Sequence, residues 1–489
     1  MIWFLPRELR KAFARNYSNV KDILDKLGLT ELDLCSHLFF TGQTGSGKTS
    51  LLRLILQAYL WRVSPGAIHC CVKADEADWI CKLVQSTHMR DRLIRFIPGV
   101  STFNVAGYEC SRRPGGTPAS LTRLLLRLND QLHRSTGNNN EQSFWRNLFF
   151  DYMHYAATVA WLAHGSKMTL EHIHQIITTC PTSPQDAASD SFEDTHCWKM
   201  LHIAEANVRT DGDIRALKRA AEFMLKTQPN LGSKARSAGV QECCSVLSVF
   251  MLSPFYESFC VAESTFVPEL ALNQYYVVLD APILVHQDSG RLCQSLITMM
   301  TIDAALRQQV PNYFTLIIRD EYQLLVSDPL YETLAHSVAR SHGLSFWSSV
   351  QNLPLLQSSF GGDMKAEQEM KGLLANYITK FVLANSCMDV TNKFFSTMFG
   401  EHKEQFHNYS EQSQQQQQSP GSVFDAMFGP SGYQFGASES YAPRVPPDRF
   451  LHLRRGGPPH YLIDAYMTQG GRVFAETGLP YKLITVSQE

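Results

Sequence analysis

The octapeptide GQTGSGKT, Gly42 to Thr49, has the residue types and spacing of a phosphate cradle, GxxxxGK[ST]. Glycines let successive backbone N–H groups converge on phosphate oxygens, and a helix beginning at the loop's end adds its positive dipole terminus. Gly42, Thr44, Gly45, Ser46, Gly47, Lys48, Thr49 and Ser50 are the candidate nucleotide contacts. Lys48 would reach the β- and γ-phosphates, and the Thr49 hydroxyl would coordinate Mg²⁺. The pattern thus predicts ATP and Mg²⁺. The bland alternative is a Gly-rich turn, and the strand pattern before the motif and helix pattern after it argue against that.

A phosphate loop needs an acidic partner at the end of a buried strand. YFTLIIRDEYQLL supplies one: Asp320 would hold the Mg²⁺ shell and Glu321 would polarise the attacking water, strand alternation pointing the two carboxylates apart. A solvated strand end is the competing reading. The other strand end, YYVVLDAP, carries only Asp280 and is followed by Pro282. Gln351, after LSFWSSV, is placed to sense a γ-phosphate from a neighbouring strand. Arg340, twenty residues past Asp320 in PLYETLAHSVARSHG, could act as an arginine finger on another subunit's nucleotide. An ordinary surface role is as plausible for either residue on sequence grounds.

The elements that must position these residues follow an α/β grammar. Residues 1–35 read as a helical lead-in. Strands are expected at 38–41, 67–72 and 93–97, with a helix over 50–63. From 118 to 237 the pattern is helical throughout, and strands return at 275–279, 313–318, 344–350 and 377–383. The fold class is therefore α/β: a RecA-like P-loop NTPase with a largely parallel central sheet, interrupted by an all-α insertion domain. The expected domains are a first ATPase part over 36–117, the insertion over 118–237 and a second ATPase part over 238–410. A mobile Gln/Gly/Ser/Pro-rich loop over 411–447 and a tail with a hairpin over 448–489, turning at Gly470–Gly471, complete the chain.

Composition bounds the function. The 489 residues are 44% hydrophobic, enough for a large core, and 44 Lys+Arg against 46 Asp+Glu exclude a globally basic polyanion coat. The longest apolar runs, such as 243–255, fall short of the ~18 residues a membrane-spanning helix needs, and the N-terminus offers no secretory signal. A soluble, cytoplasmic protein with no direct membrane span is expected. Twelve cysteines with no CxxC pair read as buried thiols in a reducing compartment. No HExxH occurs, and His172 and His174 fall on different helix faces.

These residues resemble the FtsK/HerA superfamily of P-loop motor ATPases, and within it the type IV secretion (conjugative) coupling proteins. HLFFTGQTGSGKTSLL is similar to the family's phosphate-loop strand and helix, CCVKADEADW to its "DxKxE" strand, and FIPGVSTFNVAGYE to its "FNPL" segment. NNNEQSFWRNLFFDYMHYAA resembles the opening of the all-α domain. VVLDAP and GRLCQSL, IIRDEYQLL, ARSHG, SVQN and NYITKFVLANSCMDVTNKFFSTMFGE follow in family order. The resemblance supports Lys48, Thr49, Asp320 and Glu321, puts Arg340 at the arginine-finger position and Gln351 at the sensor position, and implies a hexameric ring threading DNA. The chain departs from the pattern in lacking the family's N-terminal transmembrane helices, in Ala74 where a glycine is expected, and in its polyglutamine loop.

Three functions are open at this level. The first is an ATP-driven DNA translocase, a homohexamer serving mobile-element transfer or anti-phage defence. Arg112, Arg113, Arg215, Lys218, Arg219, Lys226, Lys234 and Arg236 in or near the helical segment would be its phosphate contacts. The second is an assembly or secretion ATPase acting on protein. The third is an ATP-controlled scaffold for an effector such as a nuclease. A membrane-recruiting partner is a further expectation.

Overall fold

The computed structural model describes residues 23–133, 139–412 and 432–488, with side chains described over 23–133, 144–405 and 439–488. The polyglutamine segment and most of the expected N-terminal lead-in lie outside the described residues.

In chain order, β1 (Leu38–Thr41) leads into α1 (Lys48–Arg62), followed by β2 (Gly66–Cys70), α2 (Glu76–Gln85) and β3 (Leu93–Phe96). A helical run comes next: α3 (Pro118–Leu132), α4 (Asn139–His164), α5 (Leu170–Thr178), α6 (His196–Asn207), α7 (Asp211–Glu222) and α8 (Ser233–Met251). The chain then returns through β4 (Tyr276–Leu279), α9 (Ile283–Leu306), β5 (Thr315–Arg319), α10 (Pro329–Ala339), β6 (Leu344–Val350), α11 (Leu353–Ser359), α12 (Met364–Asn376), β7 (Thr379–Val382) and α13 (Lys393–Phe399). Four further strands close the sequence: β8 (Glu401–Gln412), β9 (Gly432–Pro443), β10 (Leu462–Gln469) and β11 (Tyr481–Ser487).

Nine strands form one sheet in the order β11-β10-β7-β1-β6-β5-β2-β4-β3. Strands β7 through β3 in that order are mutually parallel, and β10 and β11 add antiparallel at the β7 edge. Period-two alternation divides each parallel strand between two cores. Phe39, Ile68 and Ile317 face one; Leu38, Phe40, Ala67, Leu316 and Ile318 face the other. Both faces are covered, which explains why these strands read as continuous apolar runs. Helices α1 and α2 cover the second face, which the inner residues of β10 and β11 extend. The first face shares a single core with α3–α6, α8, α10 and α12.

The helical excursion leaves from the edge strand β3 and comes back to β4, which slots between β3 and β2. Three expectations change. The boundary at 237 falls inside α8, whose buried Gly239, Cys243, Val246, Leu247 and Phe250 continue one helical face without a break. Residues 432–443, expected in a mobile loop, form β9, paired residue by residue with β8 as an antiparallel ribbon. The C-terminal hairpin forms, but through residues 470–480 rather than a tight turn at Gly470–Gly471, and it joins the main sheet.

Candidate nucleotide site

Strand β1 ends at Thr41 and the chain turns through Gly45 (φ +74°) and Gly47 (φ +93°) before α1 begins at Lys48. Gly47 is required twice over. Its left-handed backbone disfavours a side chain, and a Cβ there would lie 2.8 Å from Ile463 and 3.2 Å from the Arg455 carbonyl. The loop therefore places the N-terminus of a 15-residue helix at the C-terminal rim of the parallel sheet, where such folds bind ligands.

A cleft of about 350 Å³ opens there, lined by Thr44, Gly45, Ser46, Gly47, Lys48, Thr49 and Ser50, and by Lys73 and Glu321. Its remaining wall is Arg455, Gly456, Gly457 and Gln488. Lys48 is buried and folds back on the loop, donating to the Gly42 carbonyl at 2.6 Å and the Gln43 carbonyl at 3.3 Å. Burial lowers its pKa, against the opposing pull of the Glu321 and Asp320 carboxylates.

Thr49 Oγ1 donates to Asp320 Oδ2 at 2.6 Å, bridging residues 271 apart in sequence. Asp320 is buried and its Oδ1 accepts from the Glu321 backbone N–H at 3.1 Å. The two carboxylates are not separated by strand alternation as expected. Strand β5 ends at Arg319, and Glu321 turns aside in a left-handed conformation (φ 53°), which swings its side chain toward the cleft. Its Oε2 accepts from Gln323 Nε2 at 2.7 Å. Asp280 is instead tied to Arg95, at 2.7 Å, by the β3–β4 edge.

The "DxKxE" segment also reaches this region. Lys73 lines the cleft, and the buried Glu76 accepts from the backbone N–H groups of Val72 (2.7 Å) and Lys73 (3.2 Å). Burial, reinforced by the charge of Asp320, pushes the Glu76 pKa up to about 7.

The remaining candidates lie apart from the cleft wall. Gln351 follows β6, which runs between the strands leading to the phosphate loop and to Asp320, and its backbone carbonyl accepts from Asn385 Nδ2 at 2.9 Å. Arg340 is exposed at the end of α10, just before β6 begins. Because β6 is parallel to β1, that end is the rim opposite its own phosphate loop, a strand length of roughly 20 Å away. Arg112, expected among the phosphate contacts, is held by Glu109 through two hydrogen bonds of 2.6 and 2.5 Å.

Lys73, Arg455, Gly456, Gly457 and Gln488 are cleft residues that the sequence does not single out. For Lys73 the family segment was the available signal. The other four lie about 400 residues from the phosphate loop in sequence, and nothing local marks them as its neighbours.

A phosphate loop at the rim of a seven-stranded parallel region, opposed by a buried strand-end aspartate, defines a P-loop NTPase-type fold. Residues 315–433 match the family model described as the TraM recognition site of TraD and TraG. Among solved structures, an unbound form of the bacterial conjugative coupling protein TrwBΔN70 matches 94% of this chain and 86% of its own, at 15% identity and TM-score 0.58. Plasmid coupling protein TrwB in complex with a non-hydrolysable GTP analogue (GDPNP) matches 94% and 87%, at 16% identity and TM-score 0.57. TrwB in complex with ADP and Mg²⁺ gives the same coverage and identity at TM-score 0.56. No curated protein sequence matches the chain. In fold, then, the chain is TraG/TraD-like: it shares the architecture of the conjugative coupling proteins. Among the described residues no helix is long and apolar enough to cross a membrane.

Proposed function

We propose that the chain is an ATP-hydrolysing, ring-forming motor that binds and moves DNA. The observation that carries this reading is the 2.6 Å contact of Thr49 with the buried Asp320, made beside Lys48 and Glu321 in one cleft. A hydroxyl and a carboxylate oxygen side by side are the hard donors Mg²⁺ takes, and the ion, once bound with nucleotide, would neutralise charge on the β- and γ-phosphates. Gly45, Ser46, Gly47 and Thr49 present backbone N–H groups to phosphate, with Thr44, Ser50 and the Gly42 turn completing the loop. Lys48 exchanges its loop carbonyls for phosphate oxygens. Glu321, turned into the cleft, accepts the proton of the attacking water. Gln351 senses the γ-phosphate from the intervening strand.

Arg340 cannot serve its own nucleotide from the opposite rim, so it acts on a neighbouring copy. Its helix supports that role. The outward positions of α10 are Leu330, Leu334, Ser337 and Val338, exposed by 71% at Leu330, 61% at Leu334 and 36% at Val338, with no charge before Arg340. A solvated helix looks different: α12 nearby carries the pairs Lys365–Glu369 and Lys371–Glu367. We assign this uncharged ridge to the contact between copies, a hexamer being the assembly the resemblance implies.

DNA as substrate is supported by the coupling-protein architecture and by Arg215, Lys218, Arg219, Lys226 and Lys234, all exposed on the helical segment. A cytoplasmic site of action is supported by the twelve cysteines, none of which is paired. A second reading, an ATPase or scaffold acting on a protein partner, is favoured by the match of residues 315–433 to the family model described as the TraM recognition site of TraD and TraG.

The test is steady-state ATP turnover with and without single- and double-stranded DNA at two salt concentrations, beside Glu321→Gln. The expected result is DNA stimulation that fades with salt, and turnover reduced about 100-fold or more in the variant. Turnover indifferent to every DNA would remove the translocase and leave the protein-directed ATPase.

A further inference from the structure

The far wall of the cleft is built from the C-terminal sheet extension, and it holds two consecutive arginines with different fates. Arg454 is fully engaged. Its Nε and Nη2 donate to Asp464 at 2.7 and 2.8 Å, Nη2 also donates to Thr485 at 3.1 Å, and its backbone N–H reaches Asp464 at 3.2 Å. Burial would raise the Asp464 pKa, but these bonds hold it below the usual carboxylate value. Arg455 is exposed and has no side-chain partner among the described residues, yet it lines the phosphate cleft.

Its position is fixed by its neighbours. The Arg455 carbonyl and the Ile463 side chain pack directly on Gly47. Gly456 donates to the Leu462 carbonyl at 3.0 Å. Gln488 accepts from the Gly457 N–H at 2.6 Å and donates to Ser50 Oγ at 3.0 Å, latching this loop to the first turn of α1, two residues beyond Lys48. Gly456 and Gly457 both have positive φ, at 81° and 74°, which bends the loop over the cleft without side chains of its own.

We propose that Arg455 is a nucleotide-binding residue that contacts the non-transferred phosphates from the same subunit, with Gln488 as the residue that positions its loop. This rests on the nucleotide-site reading above. The reacting end of the cleft is marked by Lys48, Thr49, Asp320 and Glu321, whereas the Arg455 loop attaches at Gly47 and Ser50. A guanidinium there strengthens binding of any nucleotide with a diphosphate, ADP as well as ATP.

The experiment measures ADP affinity by calorimetry and ATP turnover for the full chain, for Arg455→Ala, Arg455→Lys and Gln488→Ala, and for Lys48→Ala as a control. The expected result is an ADP Kd and an ATP KM raised about tenfold or more in Arg455→Ala, with a smaller change in kcat. Partial recovery is expected in Arg455→Lys, and an intermediate loss in Gln488→Ala. ADP affinity unchanged in Arg455→Ala, with Lys48→Ala impaired, would overturn the inference and leave the site standing. A fall in kcat alone would also overturn it, since that outcome places the guanidinium on the transferred phosphate. Lys48→Ala binding ADP like the parent would overturn the nucleotide-site reading itself. Thermal melting of Arg455→Lys guards against a folding defect, since the lysine keeps the exposed charge.

Discussion

Beneath Asp320 lies a set of buried polar residues that no single motif announces. Arg319, at 1% exposure, pairs with both oxygens of Glu332 at 3.0 Å and stacks on Tyr322 at 4.0 Å. His336 donates from Nδ1 to the Glu332 carbonyl at 2.6 Å, which turns its Nε2 lone pair toward Arg319 and Tyr377. His37 accepts from the Phe346 N–H on Nδ1 at 3.1 Å and donates from Nε2 to the His336 carbonyl at 2.9 Å. Both imidazoles are thereby held neutral. Burial, with Arg340 and Arg319 adding to it, lowers the His37 pKa to about 4, and burial, with the charge of Arg319 beside it, lowers that of His336 in the same direction.

The sign of the consequence follows. A base with a depressed folded pKa is protonated first in the unfolded chain, so its stabilisation is intact above about pH 6.5 and is lost as pH falls toward 4. For His37 alone the loss between pH 7 and 5 is about 2 kcal/mol. In His37→Gln, the gap between urea-unfolding free energies at the two pH values should shrink by that order, and an unchanged gap would contradict the assignment.

At the scale of elements, α10 connects this buried set to the proposed contact between copies. Its inner face holds Glu332, Ala335, His336 and Ala339, and its outer face holds the apolar ridge ending at Arg340. Leu334→Glu should therefore abolish self-association, read as molar mass by light scattering, while leaving nucleotide binding in place; an unchanged mass would exclude the ridge. The element boundaries were largely legible from pattern: β1 and β6 fall on their expected residues, and the other parallel strands differ by a few residues at their ends. What pattern could not supply was partnership. Leu462–Gln469 reads as a tail, yet it pairs with β7 and sets Ile463 against Gly47, because alternation fixes a strand's faces but not its neighbour. The Glu321 turn was equally hidden, since a positive φ at a glutamate leaves no mark in composition.

For the whole molecule, the near-neutral charge confines any polyanion contact to a local surface. Arg215, Lys218 and Arg219 on α7 are exposed and paired with no acidic residue among those described. Replacing all three by alanine should lower the slope of log affinity against log salt for DNA by about 3, with basal ATP turnover retained. A slope that does not move would place the DNA elsewhere. The juxtaposition of the glycine-rich loop after β1 with Asp320 was readable in the sequence because short motifs carry both. The shared core of the helical segment and the sheet was not, because Leu121, Phe149 or Val246 carries no sign of which strand it will meet.

Strand order also sets a timetable for synthesis. The strand that carries the phosphate loop, β1, is flanked by β6 and β7, whose residues follow it by about 300 positions. At ~5–20 residues per second, β1 waits on the order of 20–70 s on the ribosome before both neighbours exist. Through that interval its apolar LFFT edge has no native partner, and the loop it would hold cannot be shaped. The helical segment emerges meanwhile, with its local contacts able to form as they appear. A nascent chain of this protein is therefore unable to assemble the cleft proposed to hold nucleotide until most of its length has been made, and during that time β1 is the stretch most in need of protection by a chaperone.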